Sequence, residues 1–167
     1  MLFRGIFAKL IVGVFLSTIP PELLAEENKL TQQRQAYLTL SKERGKIKGV
    51  EFKRLYKQLD DYPLKPYIEQ QMLMHNMALS SRTKIEKFLK NYRGSPLDWP
   101  LRKRWLNYLA KKNKKQIFIR NFVTTSDVKL TCQYYRYQLD TGVASELVLP
   151  HVTPLWLVGK SQPKICD

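Results

Sequence analysis

The chain has 167 residues, with 29 Lys and Arg against 14 Asp and Glu, a formal net charge of +15. That length is one domain, and that charge favours an anionic partner or surface. Two cysteines and two distant histidines, His75 and His151, exclude a closed metal site built from ligand-spaced clusters, and no motif for a cofactor occurs.

The first 25 residues read as a secretory signal peptide. Arg4 and Lys9 form a basic start, Leu10 to Ile19 is a short apolar run, and Pro20-Pro21 breaks it before a small residue at Ala25. The run of about 10 residues is half of the ~20 a spanning helix needs. Cleavage is expected between Ala25 and Glu26, leaving a mature chain of residues 26–167. Removing two basic residues and one acidic residue takes the charge to +14. Export removes nucleic acid from the expected partners and leaves peptidoglycan, whose stem peptides carry carboxylates, or an anionic envelope surface. In an exporting compartment Cys132 and Cys166 are expected to form one disulfide.

The rest predicts helices throughout. A polar helix is expected over Thr31–Glu43. Over Val50–Leu59, Phe52, Leu55, Tyr56 and Leu59 recur at the i, i+3, i+4, i+7 spacing of an amphipathic helix. Asp60 to Pro63 ends it, because a residue before proline is pushed out of the helical region. Pro66 then opens a helix to Met77. Ser80-Ser81 is placed to cap a helix over Arg82–Tyr92, whose Ile85, Phe88, Leu89 and Tyr92 share a face, and Gly94-Ser95-Pro96 stops it. Pro100 opens a helix that sets Leu101, Trp105, Tyr108, Leu109 and Lys112 on one side. Gln116–Val123 is apolar enough to be a strand, but its helical surroundings favour a short helix. Val128–Leu139 and Ala144–Val158 complete the list. Helices of this length joined by short turns predict an all-α fold, a superhelical array of antiparallel helical hairpins in the manner of an α-solenoid.

No nucleophile motif, phosphate loop or metal motif is present. Glu69, Glu86 and the Asp60-Asp61 pair are carboxylates without a recognisable site sequence, and read as solvated or turn residues. Two basic clusters are the candidate anion-binding residues: Arg102, Lys103 and Arg104, and then Lys111, Lys112, Lys114 and Lys115. They read either as a positive edge for acidic glycan or as a solvated face whose lysines favour a helix C-terminus. Trp99, Trp105, Trp156, Tyr134, Tyr135 and Tyr137 read chiefly as packing between helices, with Tyr134 and Tyr137 on one face.

Three blocks are more specific. They are Asp61-Tyr62-Pro63-Leu64-Lys65-Pro66-Tyr67; Cys132-Gln133-Tyr134-Tyr135 with Thr141-Gly142; and Leu155-Trp156-Leu157-Val158-Gly159-Lys160-Ser161-Gln162-Pro163 with Cys166-Asp167. In order and spacing they resemble the N-terminal helical region of soluble lytic murein transglycosylases. The resemblance implies a periplasmic protein and a superhelix of short helices that curves into a U and supports a separate lysozyme-like domain. That domain cleaves the MurNAc–GlcNAc bond to leave 1,6-anhydro ends. Its single catalytic glutamic acid lies in a Glu-Ser-x-Phe type motif followed by a Gly-Leu-Met-Gln type motif. Neither motif occurs in these 167 residues, so no catalytic residue is inherited.

The resemblance also implies the Cys132–Cys166 pairing. The expectation is a peptidoglycan-associated helical scaffold, a truncated product or a stand-alone piece. The alternative is a periplasmic binding module that holds peptidoglycan or a wall-synthesis partner through its basic helix edge. One departure stands out. Pro150 and Pro154 fall where the family has an uninterrupted helix, predicting a split or decayed helix there.

Overall fold

A computed structural model describes residues 21–43, 46–159 and 161–166. Residues 1–20, which hold most of the expected signal peptide, lie outside the described residues. Eight α-helices and two short 3-10 turns make up the described regular structure: α1 (Pro21–Lys42), α2 (Gly49–Gln58), α3 (Lys65–His75), α4 (Arg82–Asn91), α5 (Asp98–Lys111), α6 (Lys115–Asn121), α7 (Val128–Asp140) and α8 (Ser145–Trp156), with the 3-10 turns at Leu79–Ser81 and Lys164–Cys166. Among the described residues there is no strand, and no helix is long and apolar enough to cross a membrane.

The packing pattern is that of a hairpin array. α1 packs on α2, α3 on α4, α5 on α6 and α7 on α8, while α1, α3, α5 and α7 also touch in succession. The odd-numbered helices therefore form one continuous layer, and the even-numbered helices lie against it. Each hairpin buries its apolar stripe against the next, as in stacked helical repeats.

Two cores result. Ala36, Leu40, Leu55, Leu59 and Ile68 fill the first, between α1, α2 and α3. Leu73, Ile85, Phe88, Leu89, Leu101, Trp105, Leu106, Leu109, Phe118 and Leu130 fill the second, from α3 to α7. Helix α3 serves both, with Ile68 on one side and Leu73 on the other.

Trp105 is fully buried and stacks on Tyr108 with ring centroids 5.5 Å apart. Its indole N–H is the one buried side-chain polar atom without a hydrogen-bond partner among the described residues. Leaving it unpaired costs on the order of 1–3 kcal/mol, which the burial of so large a ring offsets. The tyrosines follow their spacing. Tyr137 meets Phe118 edge-on at 5.3 Å and donates to the Ala110 carbonyl, and Tyr134 stacks on Phe122 at 4.2 Å. Tyr135 points the other way, onto His151 of α8.

Helix ends are set by local chemistry. α5 and α7 both close with a Schellman motif. After α5, Asn113 takes a left-handed φ of 49°, and the N–H groups of Asn113 and Lys114 bond the carbonyls of Ala110 and Leu109. After α7, Gly142 takes φ 91°, and the N–H groups of Gly142 and Val143 bond the carbonyls of Leu139 and Gln138. Asp127 caps the start of α7, its Oδ1 accepting from the Leu130 N–H at 3.2 Å.

Four local expectations change. Helix α1 begins at Pro21, ten residues before Thr31, and runs through the Ala25–Glu26 bond. Residues 25–32 are exposed, so this extension rests on local propensity and on acidic residues favouring the N-terminal dipole. Ser81 does not cap α4. Its hydroxyl donates to the Asn76 carbonyl, because the 3-10 turn before α4 directs it backwards. Lys112 leaves the buried face of α5, which ends one residue earlier.

Helix α8 is single, not split: Pro150 and Pro154 both lie inside it. Their spacing of four puts both rings on one exposed side, where solvent can satisfy the carbonyls of Glu146 and Pro150 that lose their N–H partners. The helix is held to α7 by few buried groups, Val148 being its one fully buried residue, and Leu147, Leu149 and Trp156 are exposed. Cys132 and Cys166 are joined, with Cα atoms 4.9 Å apart, tying the terminal 3-10 turn to α7.

Candidate functional site

The sequence-predicted basic residues do not assemble into one edge. Arg102 is only 6% exposed. Its Nε donates to Asp98 Oδ1 at 2.7 Å, and a terminal nitrogen donates to the Asn121 carbonyl at 2.8 Å. It therefore acts as a structural tie between α5 and α6. Lys103 pairs with Asp127 at 2.8 Å. Lys115 pairs with Asp140 at 3.0 Å and sits over the Tyr137 ring. Arg104 lines a different hollow of about 560 Å³, among Leu40, Phe52, Met72 and His75. Lys111, Lys112 and Lys114 are exposed around the C-terminus of α5, where their charges favour the helix dipole.

A second hollow, of about 400 Å³, gathers cations from three helices. It lies over α5, between α4 and α6. Arg82, Glu86, Leu89 and Lys90 come from α4, with Arg93 just beyond its end. Arg102 comes from α5, Arg120 and Asn121 from α6. The two flanking helices are bridged by Asn121, whose amide donates to Glu86 Oε1 at 2.9 Å and to the Ile117 carbonyl at 2.9 Å.

Charge balance inside this cleft is uneven. Among the described residues Glu86 is its one lining carboxylate, and Arg82 Nε donates to the same Oε1 at 2.9 Å. Asp98 answers Arg102. Lys90, Arg93 and Arg120 make no hydrogen bond or ion pair among the described residues. Burial pushes the Glu86 carboxyl up, but the hydrogen bonds from Asn121 and Arg82, with the charges of Arg82 and Arg120, hold it below its ordinary range. A carboxylate so held is a poor general acid near neutral pH. The arrangement gathers positive charge that can bind an anion.

Sequence reasoning passed over Arg82, Lys90, Arg93 and Arg120 because they are dispersed, with no run of basic letters. A signal existed. Arg82, Glu86, Lys90 and Arg93 follow one another at helical spacing and form a polar stripe along α4. Arg120, 27 residues beyond Arg93, has no such mark.

The other carboxylates weighed from sequence are placed in turns and on surfaces. Asp61 accepts from Lys29 at 2.7 Å, and Asp60 pairs with Lys65. Glu69 is half-buried on α3. Among the described residues no group of three or more His, Cys, Asp or Glu side chains is placed to hold a metal ion.

Acid sensitivity is expected at Asp127. Burial pushes its carboxyl up, but the Lys103 ammonium and the Leu130 N–H outweigh that and hold it below the usual range. A depressed carboxylate contributes stability that is present above its unfolded value, about 3.9, and is lost as pH falls through the folded value. Asp127→Ala should therefore cost about 1 kcal/mol at pH 7. Its melting temperature should converge with that of the parent as the pH is taken below about 4. A constant gap across that range would refute the capping role.

Comparison with known proteins fits this architecture. No family model matches the sequence. The soluble lytic murein transglycosylase of Escherichia coli strain K12 is 26% identical over 159 residues, covering 95% of this chain. That of Salmonella typhimurium is 26% identical over 145 residues, covering 86%. Solved structures of the 70 kDa soluble lytic transglycosylase, one from Escherichia coli and one in complex with bulgecin A, superpose with a TM-score of 0.71 over 83% of this chain at 26% identity.

Over most of its length the chain is similar to the soluble lytic murein transglycosylases.

It spans about a quarter of the length of the curated relatives it matches, 24% of the Escherichia coli protein and 22% of the Salmonella one. The likeness to these transglycosylases extends over both cores and the hairpin array, since it covers so much of the chain. Apart from Lys160 and Asp167, which lie outside the described residues, the three sequence blocks fall within helices and their ends: the Asp61–Tyr67 block at the start of α3, the Cys132 block in α7 and just beyond its end, and the Leu155 block from the end of α8 to the terminal turn.

Proposed function

We propose that this chain is a peptidoglycan-associated helical scaffold of the periplasm. In this reading it corresponds to the non-catalytic N-terminal superhelix of a lytic murein transglycosylase and is exported by a cleaved signal peptide. The observation that carries it is the match of 95% of the chain to the Escherichia coli transglycosylase, together with the superposition at a TM-score of 0.71. A disulfide between Cys132 and Cys166 supports an oxidising compartment. The net charge of +15 supports a carboxylate-rich partner.

The engagement of several carboxylates favours a role in support, not in cleavage. Asp60, Asp61, Glu86 and Asp98 are each engaged by a cation, and the Glu-Ser-x-Phe type motif expected of the catalytic domain does not occur in these residues. The test is to incubate the purified chain with murein sacculi, pellet them, and analyse the supernatant for 1,6-anhydro-muropeptides. Salt-sensitive co-sedimentation without anhydro product is expected. Release of anhydro product would sink the scaffold reading, and failure to pellet at low salt would sink the association with peptidoglycan.

A further inference from the structure

We infer that the cleft between α4 and α6 is a binding site for a peptide bearing two carboxylates, with Arg93 and Arg120 as its principal contacts. This rests on the proposed association with peptidoglycan and names the part of that polymer the cleft would take, the stem peptide. The cleft presents five cations, Arg82, Lys90, Arg93, Arg102 and Arg120, to a hollow of about 400 Å³. Two are answered, Arg82 by Glu86 and Arg102 by Asp98. Among the described residues the other three, Lys90, Arg93 and Arg120, face a shared space without a hydrogen bond or ion pair, Arg120 acting on Glu86 through its charge alone, and like charges brought together repel. The carbonyl ends of α4 and α6, near which Lys90, Arg93 and Arg120 sit, offset part of that repulsion. A bound anion would remove the rest.

The two arginines set the chemistry. A guanidinium offers a planar fork that matches a carboxylate with two parallel hydrogen bonds. Arg93 stands on one wall and Arg120 on the other, so a ligand with two carboxylates can engage both walls at once. The walls themselves are held. The Asn121–Glu86 bridge joins α4 to α6, and Arg102 fastens Asn121 to α5. Positions fixed in advance lose less freedom on binding.

The test is calorimetric titration of the full chain with three probes: a muropeptide with free stem carboxylates, the same muropeptide with those carboxylates amidated, and inorganic phosphate. The variant Arg93→Ala/Arg120→Ala is compared with Lys53→Ala/Lys57→Ala, which removes the same charge from α2. All four side chains are exposed, and melting curves verify that both variants fold. Loss of at least about tenfold in affinity for the free muropeptide is expected for the arginine variant, a change of about 1.4 kcal/mol. Amidation should cost the parent a similar factor, and the lysine variant should bind as the parent does.

Equal affinity in the two variants would overturn the site. Tighter binding of phosphate than of the free muropeptide would overturn the carboxylate assignment. Sacculus pelleting by the parent separates the two levels. Pelleting with unaltered muropeptide binding in the arginine variant defeats the cleft alone, whereas a parent that neither pellets nor binds the muropeptide defeats the proposed function as well.

Discussion

Arg102→Ala is expected to destabilise the chain by about 3–5 kcal/mol, because it strands a buried charge. Asp98 is buried on α5, and its two oxygens are committed. Oδ1 accepts from Arg102, and Oδ2 accepts from the Gly94 N–H at 3.0 Å. Without the guanidinium, a carboxylate remains in the protein interior with a single neutral donor. The Asn121 carbonyl also loses its partner, so α6 is loosened from α5. Against a total stability on the order of 5–15 kcal/mol, this loss decides whether the array folds. Urea denaturation monitored by circular dichroism measures it. The double variant Asp98→Leu/Arg102→Met should recover most of the loss, since replacing both partners of a buried pair by apolar side chains is often neutral. An unchanged midpoint for Arg102→Ala would show that the pair is not a structural tie.

Removing the disulfide by Cys132→Ser/Cys166→Ser should cost about 3–4 kcal/mol on the chain-entropy account. The closure spans a sequence separation of 34 and encloses α8. The consequence is expected to be local before it is global. Helix α8 buries Val148 fully but leaves Leu147, Leu149 and Trp156 exposed, and two of its backbone positions are prolines. With so little apolar contact to hold it, α8 depends on the covalent closure to stay against α7. Hydrogen exchange should rise in residues 145–156 on reduction, while α5, with Leu101, Trp105, Leu106 and Leu109 fully buried, stays protected. Equal protection of α8 before and after reduction would contradict this dependence.

The helical hairpins were legible because amphipathic spacing is a local property. Phe52, Leu55, Tyr56 and Leu59 recur every three or four residues whatever surrounds them, and they pack as that spacing requires. Even the ambiguous apolar segment after Lys115 formed a helix, with Phe118 turned fully inward. Boundaries were less legible, as α1 and Ser81 show, since caps depend on competing partners a few residues away. The prolines of α8 misled for a related reason. Their cost is set by whether the freed carbonyls meet solvent, which a sequence does not display.

The amino-acid sequence by itself determined that the chain is all-helical, which two cysteines can pair, and which family its three blocks resemble, because periodicity, pairing by elimination and motif order all live along the chain. Only the tertiary structure decided which of its many cations are free. Arg102 and Arg120 are the same residue type, yet stacking of α4 and α6 over α5 buries one against Asp98 and leaves the other facing an open cleft. Charge is written in the residue; its availability depends on what the neighbouring helices place beside it.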